Sequence, residues 1–571
     1  MQIDWDVPIE MDDGVGVRAD VFRPDDDGSF PVILSYGPYA KGLAFQEGYP
    51  DQWGRMVSQH PDVEAGSSNR YQNWEVVDPE KWVPDGYVCV RVDSRGAGRS
   101  PGRLDPFSPR ETSDLAACIE WAAAQPWSSG KIGLNGISYY AMNQWHVASR
   151  APRGLTAMCA WEGASDWYRD ASRHGGILCT FFGNWYEMQV TTVQHGLGSR
   201  GPVNPHTGEP VAGPATLSEQ ELAANRADFA ADVAAHPLDD DYHRARSGDW
   251  ERIDVPLLSA GNWGGHGLHL RGNVEGYVRS ASSQKWLELH GEEHWTHFYT
   301  DYGVRLQKRF FGHFLKAEDT GWDEQAPVLL QVRHVDGTFT ERPEGEWPIA
   351  RTEWTRLYLD ETGDALSPWP AEAAGSVSYE ALGDGVTFLS ASLERDVEIT
   401  GPSAAKLFVS SSTADADLFV VLRVFDPEDE EVVFQGAIDP HTPIGQGWLR
   451  ASHRKLDPSL SEPYRPYHSH DEKQELSPGE VYELDVEIWP TSLVVPADYR
   501  IALSVRGRDY EYPKAAGERL ATFKNELRGS GPFLHDDPVD RPPELFGGEI
   551  TIHTGGEHGS YLLLPFVPES S

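Results

Sequence analysis

The chain has 571 residues, with 89 Asp plus Glu against 48 Lys plus Arg, giving a formal net charge of −41. That length implies several domains at ~150 residues each, and an aromatic fraction of 11% excludes global disorder. The acidity excludes nucleic acid as the default partner, because phosphate neutralisation needs clustered Lys and Arg, and it disfavours anionic membrane surfaces.

Along the first 165 residues, strand and helix signals alternate. Val15 to Phe22 alternates in a strand-like way, and Pro31 to Tyr36 is a short apolar run suited to a buried strand. Tyr87 to Val92 is a second such run, Asp114 to Ala124 has helical spacing, and Lys131 to Asn135 is a third strand ending at a turn. Ala141 to Ser149 reads as a helix and Leu155 to Trp161 as a fourth strand. This alternation predicts a mostly parallel sheet with helices on both faces, an α/β core. The pattern breaks at residues 166–250, where aromatic clusters precede an Ala-rich acidic run, Leu217 to Ala235, and a helical cap insertion is expected. It resumes over 251–350 with Val255 to Ala260, Lys285 to Leu289 and a helix near Tyr302 to Leu315. From 351 to 571, short strands alternate with Gly, Pro and Asp turns, which predicts a C-terminal β-sandwich of the jelly-roll type. Residues 568–571 read as a frayed tail.

Cys89, Cys118, Cys159 and Cys179 form no C-x-x-C pair and sit in apolar contexts. Buried free thiols are expected, with no metal and no cofactor. The N-terminal residues lack the charged and apolar runs of a signal peptide, and no run reaches the ~18 apolar residues of a membrane span. A cytoplasmic protein is expected. Only 11 of the basic residues are lysine, a balance that suits either a high-salt environment, where repulsion is screened, or an ordinary acidic protein.

Gly136-Ile137-Ser138-Tyr139-Tyr140 lies between a predicted strand and a predicted helix. A serine there occupies the sharp turn of a nucleophile elbow, its hydroxyl exposed above the sheet. The second glycine of G-x-S-x-G is replaced by Tyr140, and the nearest small residue is Ala141.

Two further segments join this one: Tyr36-Gly-Pro-Tyr39-Ala-Lys41-Gly42 after the first core strand, and Asp93-Ser-Arg-Gly96-Ala-Gly98-Arg-Ser100-Pro-Gly102 after the second. With Asp114, Trp121, Gln125-Pro126-Trp127, Gly133 and Ser138-Tyr139, they resemble the CocE/NonD hydrolases, which include cocaine-esterase-like enzymes and Xaa-Pro dipeptidyl-peptidases. Ala414 to Leu418 and Gly447 to Ser452 fit the C-terminal β-sandwich of that family, so the resemblance runs over essentially the whole chain. It implies an α/β-hydrolase core with a helical cap and a jelly roll, and acyl transfer by a Ser-His-acid triad. Ser138 is the implied nucleophile. The hydroxyl of Tyr39 and the backbone N–H of Tyr139 are the implied oxyanion donors.

The base is expected after the strand Lys285 to His290, where Gly291-Glu-Glu-His294-Trp-Thr-His297 offers two histidines. His294 has the G-x-x-H spacing of many α/β-hydrolases and is the first choice; His297, in a W-x-H context, is the alternative. An imidazole suits the task because its ordinary pKa of ~6.5 lets it take and return a proton. The family's acid is an Asp in the turn after Val255 to Ala260, but here that turn reads Gly261-Asn-Trp-Gly264-Gly-His266, with Gly264 at the acid's place. Glu162, at the end of the preceding strand, is the first choice for a relocated acid and Asp166 the second. Asp166 equally suits a helix N-cap. A neutral orienting group such as Asn262, or lost competence, are the other accounts. Trp161, Trp167 and Phe182 are expected in an acyl pocket. Asp415, Asp417 and Glu428 to Glu431 read as a solvated acidic edge rather than a calcium loop.

The function expected is hydrolysis of an ester or amide of a small hydrophobic acyl substrate through an acyl-enzyme. An Xaa-Pro dipeptidyl-peptidase-like exopeptidase acting on short peptides is one alternative. A hydrolase-fold ligand-binding protein without catalysis is another. Family members often self-associate, so a homo-oligomer is an expectation.

Overall fold

The computed structural model describes residues 1–362 and 364–568. The expected frayed tail therefore lies, beyond Pro568, outside the described residues.

The N-terminal part is built on a 10-stranded sheet. Its strands are β1 (Gln2–Glu10), β2 (Gly16–Arg23), β3 (Phe30–Gly37), β4 (Val88–Asp93), β5 (Ser128–Ile137), β6 (Leu155–Trp161), β7 (Leu257–Asn262), β8 (Lys285–His290), β9 (Val328–Arg333) and β10 (Phe339–Glu344). The order across the sheet is β1-β2-β4-β3-β5-β6-β7-β8-β9-β10. The seven strands from β4 to β9 in that order run parallel, and β1, β2 and β10 add antiparallel edges. The central strands are near-continuous apolar runs because helices cover both faces; all six residues of β4 are buried.

Four helices fix the site's end of this sheet: α1 (Pro109–Ala123), α2 (Tyr139–Ala148), α3 (Leu270–Arg279) and α4 (Asp301–Lys316). α1 begins five residues before the predicted Asp114, because Ser108 caps the Glu111 N–H and Pro109 occupies the first helical position, where a missing N–H costs nothing. Every residue of α2 is buried, as expected for a helix without a polar face. Phe310 and Phe311 of α4 are also wholly buried, each contributing about 1.5–3 kcal/mol of transfer free energy.

Between β6 and β7 the chain forms an insertion of short helical pieces rather than one long helix. Leu217 to Ala235 divides into Glu219–Ala224, opened by the Ser218–Glu221 capping box, and Phe229–Ala235, opened by Asp228. The second cap restarts the helix where Asn225 ended the first.

Strands from Glu353 onward form an 11-stranded sheet system with its own Leu, Ile and Val core. Val397–Ser411 and Tyr482–Val495 pair antiparallel along most of their lengths, with a bulge between Gly401 and Ser403. Asp415 and Asp417 are not the solvated edge expected. Both are buried, Asp417 pairing with Arg450 at 2.8 Å across adjacent strands and Asp415 accepting the Ser452 hydroxyl at 2.6 Å. Glu428 to Glu430 are exposed. No helix among the described residues is long and apolar enough to cross a membrane.

Candidate active site

Ser138 sits between β5 and α2 with φ 55° and ψ −112°. Such a conformation costs a non-glycine residue about 1–3 kcal/mol, a strain typical of functional turns. The turn is held from behind: the Ser138 N–H reaches the carbonyls of Trp161 and Glu162, each at 3.1 Å. The tyrosine at position 140 is accommodated because Gly136 has no side chain, a Cβ there falling 2.4 Å from the Tyr140 Cβ. The displaced small residue, Ala141, faces Gly163, where a Cβ would come within 2.5 Å of its own. The elbow thus keeps its close helix–strand approach with the small residues redistributed.

His294 follows β8, its backbone N–H bonded to the Ala437 carbonyl of the C-terminal part at 2.9 Å. Its Nδ1 lies 3.3 Å from Glu162 Oε2. Glu162 directly follows β6 and is wholly buried. Its other oxygen, Oε1, meets His290 Nε2 at 2.9 Å and the Asn262 amide at 3.3 Å. His290 is in turn held by Glu288 at 2.6 Å. Burial opposes the charge on Glu162, but the hydrogen bond from His290 and the neighbouring His294 imidazole outweigh it and bring the carboxyl down to about 2. Burial likewise opposes the charge on His290, yet Glu288 and Glu162 raise it to about 10.

The turn that lacks the family's acid has no room for one. A Cβ on Gly264 would stand 2.2 Å from the Gly436 Cα. The strap Gly436–Ala437 presses on this turn, Ala437 N–H bonding the Gly264 carbonyl at 3.1 Å. Asn262 does not approach His294 as an orienting group; it holds Glu162 and the Glu292 carbonyl.

Ser138 and His294 line one cavity. Tyr39 and Tyr139 line it from the core, Phe182 and Trp185 from the insertion, and Ile438 and Phe523 from the C-terminal part. The Tyr39 hydroxyl accepts the Trp185 indole N–H at 2.9 Å, so its own proton is free to point into the cavity. Burial raises Tyr39 well above the ordinary phenol range and keeps it a donor. As the first residue of α2, Tyr139 has no intrahelical partner for its N–H. Its hydroxyl bonds the buried Glu111.

The remaining candidates lie elsewhere. Asp166 caps the helical turn Trp167–Ser172 and pairs with Arg169 at 2.8 Å. His297 packs against His290 and Tyr302 outside the cavity lining. Trp161 and Trp167 are corrected in position: Trp161 packs on His290 and Phe298 at the back of the sheet end, and Trp167 lies behind Phe107 and Phe182. Of the three aromatics expected in the pocket, only Phe182 lines it. The reason is directional: Trp161 is the last residue of a strand, and its side chain faces the packed helix layer rather than the strand edge.

Asp93 organises the glycine-rich motif, its carboxylate accepting the N–H groups of Lys41 at 2.6 Å and Arg99 at 2.8 Å. Lys41 follows Tyr39 by two residues, so the motif fixes the loop that carries the oxyanion tyrosine. Among the described residues, His174, Cys179 and His535 bring possible metal donors together. His174 Nδ1 and His535 Nε2 are only 2.7 Å apart, a hydrogen-bond distance and shorter than the roughly 3.3 Å between two nitrogens on one tetrahedral zinc. They read as a polar tie between the insertion and the C-terminal part.

Glu75 escaped the sequence reading. It lines the cavity and its Oε1 lies 2.9 Å from His294 Nε2. The only signal available was a carboxylate amid apolar residues in Trp74-Glu75-Val76-Val77, which is weak in so acidic a chain.

A mostly parallel sheet, a strained serine at a strand-to-helix turn, and a histidine–carboxylate pair at the same strand edge define an α/β-hydrolase. Comparison with known proteins places it more closely. Residues 13–299 match the family model for X-Pro dipeptidyl-peptidase (S15 family), and residues 320–563 that for the X-Pro dipeptidyl-peptidase C-terminal non-catalytic domain. A CocE/NonD family hydrolase from Staphylococcus aureus is 31% identical, with a TM-score of 0.84 over 99% of this chain and 94% of that one. Cocaine esterase from Rhodococcus sp. (strain MB1 Bresler) is 25% identical over 98% of each chain. A putative Xaa-Pro dipeptidyl-peptidase from Streptomyces avermitilis is 23% identical over 86% of this chain and 76% of that one. The chain belongs to the S15 X-Pro dipeptidyl-peptidase family and is a serine hydrolase of the CocE/NonD type.

Proposed function

We propose that the enzyme cleaves an ester or amide bond of a small hydrophobic acyl substrate through an acyl-enzyme on Ser138. The observation that carries this reading is the convergence of Ser138 and His294 on one aromatic cavity, with Glu162 on the other ring nitrogen of His294. Ser138 Oγ attacks the carbonyl carbon while His294 Nε2 takes its proton and then passes it to the leaving group. Glu162 holds the Nδ1–H and offsets the imidazolium charge. The Tyr39 hydroxyl and the Tyr139 N–H donate to the oxyanion, each such donor contributing roughly 2.7–4 kcal/mol. Water repeats the sequence on the acyl-enzyme. Loops of the C-terminal part, whose strands we read as a jelly roll, complete the acyl pocket through Ile438 and Phe523.

A second reading, an Xaa-Pro dipeptidyl-peptidase-like exopeptidase, is favoured by the S15 family match. Labelling with a fluorophosphonate probe and mass mapping tests the nucleophile; modification elsewhere than Ser138 overturns the assignment. Parallel turnover of p-nitrophenyl butyrate and of an Xaa-Pro-p-nitroanilide separates the readings. Turnover of the anilide alone rejects the first.

A further inference from the structure

Glu75 has no part in the relay just described, yet it holds the atom on which that relay depends. Its Oε1 is 2.9 Å from His294 Nε2, the nitrogen that must face Ser138 during proton transfer. Its other oxygen is buried without a hydrogen-bond partner. The residue is not free to drift, since its carbonyl accepts the Ile137 N–H at 3.0 Å, one residue before the nucleophile. Its φ is +61°, a left-handed conformation that an ordinary surface glutamate has no reason to keep. Trp74 beside it stacks on Tyr49, with ring centres 4.1 Å apart, and braces the segment.

We propose that Glu75 is a latch on the base: in the resting site it holds the Nε2–H of His294, and the base reaches Ser138 only once that contact is released. The inference rests on the reading of Ser138 and His294 as nucleophile and base. One proton lies between Nε2 and Oε1. While it is on nitrogen, His294 is an imidazolium between two carboxylates and has no lone pair to offer the serine. When it moves to Oε1, His294 becomes neutral and basic at Nε2, Glu75 becomes a neutral acid, and the charge of Glu162, His294 and Glu75 together is unchanged. Substrate entering the cavity opens the same contact by taking the carboxyl's place.

The surroundings fit a latch that closes at neutral pH. Burial disfavours a charged His294, but the adjacent carboxylates of Glu162 and Glu75 outweigh it and raise the imidazole to about 9. Burial pushes Glu75 up to about 7, against the hydrogen bond from His294. Across Glu75 stand the phenols of Tyr39, Tyr49, Tyr140 and Tyr299, all held neutral by burial. His269 stacks on His294 at 5.4 Å and is kept neutral, chiefly by burial, while His290 reaches the trio only through Glu162. As pH rises toward 9 the proton leaves His294 and the latch opens, so the acid limb of acylation is alkaline.

Two measurements on the full chain test this: the His294 ring titration by NMR of histidine-labelled protein, and the pH profile of fluorophosphonate labelling of Ser138. In Glu75→Gln the amide fills the same space but cannot hold the proton. The His294 midpoint is expected to fall by ~1 unit, a tenfold change in proton affinity, and labelling at pH 7 to quicken by about as much. Glu75→Asp, too short to keep the contact, is expected to shift both in the same direction, and serves if the glutamine variant folds poorly. An unchanged midpoint with an unchanged acid limb overturns the latch. So does a loss of labelling at every pH as deep as that of His294→Ala, which would make Glu75 part of the relay. If wild-type Ser138 takes no label at any pH, the nucleophile assignment fails instead, while the ring titration still reports whether Glu75 holds His294.

Discussion

Replacing Glu162 by Gln tests the relocated acid most directly. The carboxylate is wholly buried, 3.3 Å from His294 Nδ1 and 2.9 Å from His290 Nε2. An amide of the same shape can still accept at one atom, so packing is retained. The charge that offsets the imidazolium is lost, and with it the fixed tautomer. Amide substitution of a triad aspartate costs ~10⁴ in rate. Here the Nδ1 contact is longer than an ideal ion-pair hydrogen bond and Glu75 remains as a second anion, so a smaller loss is expected. We expect kcat/KM to fall by about 10³, or ~4 kcal/mol at 1.36 kcal/mol per decade, with KM little changed. The assay is p-nitrophenyl ester turnover with single-turnover labelling of Ser138, alongside Asp166→Asn. The latter keeps a capping oxygen for the helical turn but removes the charge of a buried ion pair with Arg169, and is expected to lower the unfolding midpoint while leaving the acylation rate of the folded protein within threefold. Wild-type kinetics in Glu162→Gln, or a deeper acylation loss in Asp166→Asn, would refute the assignment.

His294→Ala should abolish labelling by a factor of ~10³ or more, whereas His297→Ala, outside the cavity lining, should keep it within about tenfold; the reverse order assigns the base to His297. Tyr39→Phe should lower kcat by about 10²–10³ at similar KM, and an equal effect on KM alone would remove Tyr39 from the oxyanion site. Restoring the family's acid by Gly264→Asp should lower the unfolding midpoint and fail to rescue Glu162→Gln, because the Gly436 backbone stands 2.2 Å from the new Cβ; rescue would show that the strap yields. On pH and stability, His294 titrates at about 9 against an ordinary 6.5, so its ion pairs contribute fully below ~6.5 and are lost as pH rises through about 9. Glu162, lowered to about 2 from 4.5, contributes above ~4.5 and loses that contribution as pH falls through about 2. A denaturant midpoint lower at pH 9.5 than at pH 6.5, with the gap reduced in His294→Ala, is the expected result.

Much of the core was legible in the linear chain. β6 lies at its predicted residues, Leu155–Trp161, because a strand buried on both faces is an apolar run with turn residues at each end. The edge hairpin of β1 and β2 was half missed, since Gln2–Glu10 carries three acidic residues and is only partly buried, leaving no clean alternation. The serine turn was equally readable, because strand, glycine and helix signals are local. The pairing of Glu162 with His294 joins residues far apart in sequence, and local pattern could supply only candidates for it.

What the sequence by itself determined is therefore the part governed by near neighbours: an α/β core, an inserted segment, a β-rich C-terminal part and a serine at a strand-to-helix turn. Its −41 charge set only an expectation about partners and said nothing of chemistry. Only the tertiary structure decided which of 89 carboxylates meets the histidine, why Gly264 cannot carry one, and that a second carboxylate, Glu75, holds the opposite ring nitrogen. Each of these depends on which strand ends share an edge and on the backbone strap at Gly436–Ala437. Such contacts form between segments hundreds of residues apart, and their energies depend on burial that no single stretch of the chain defines.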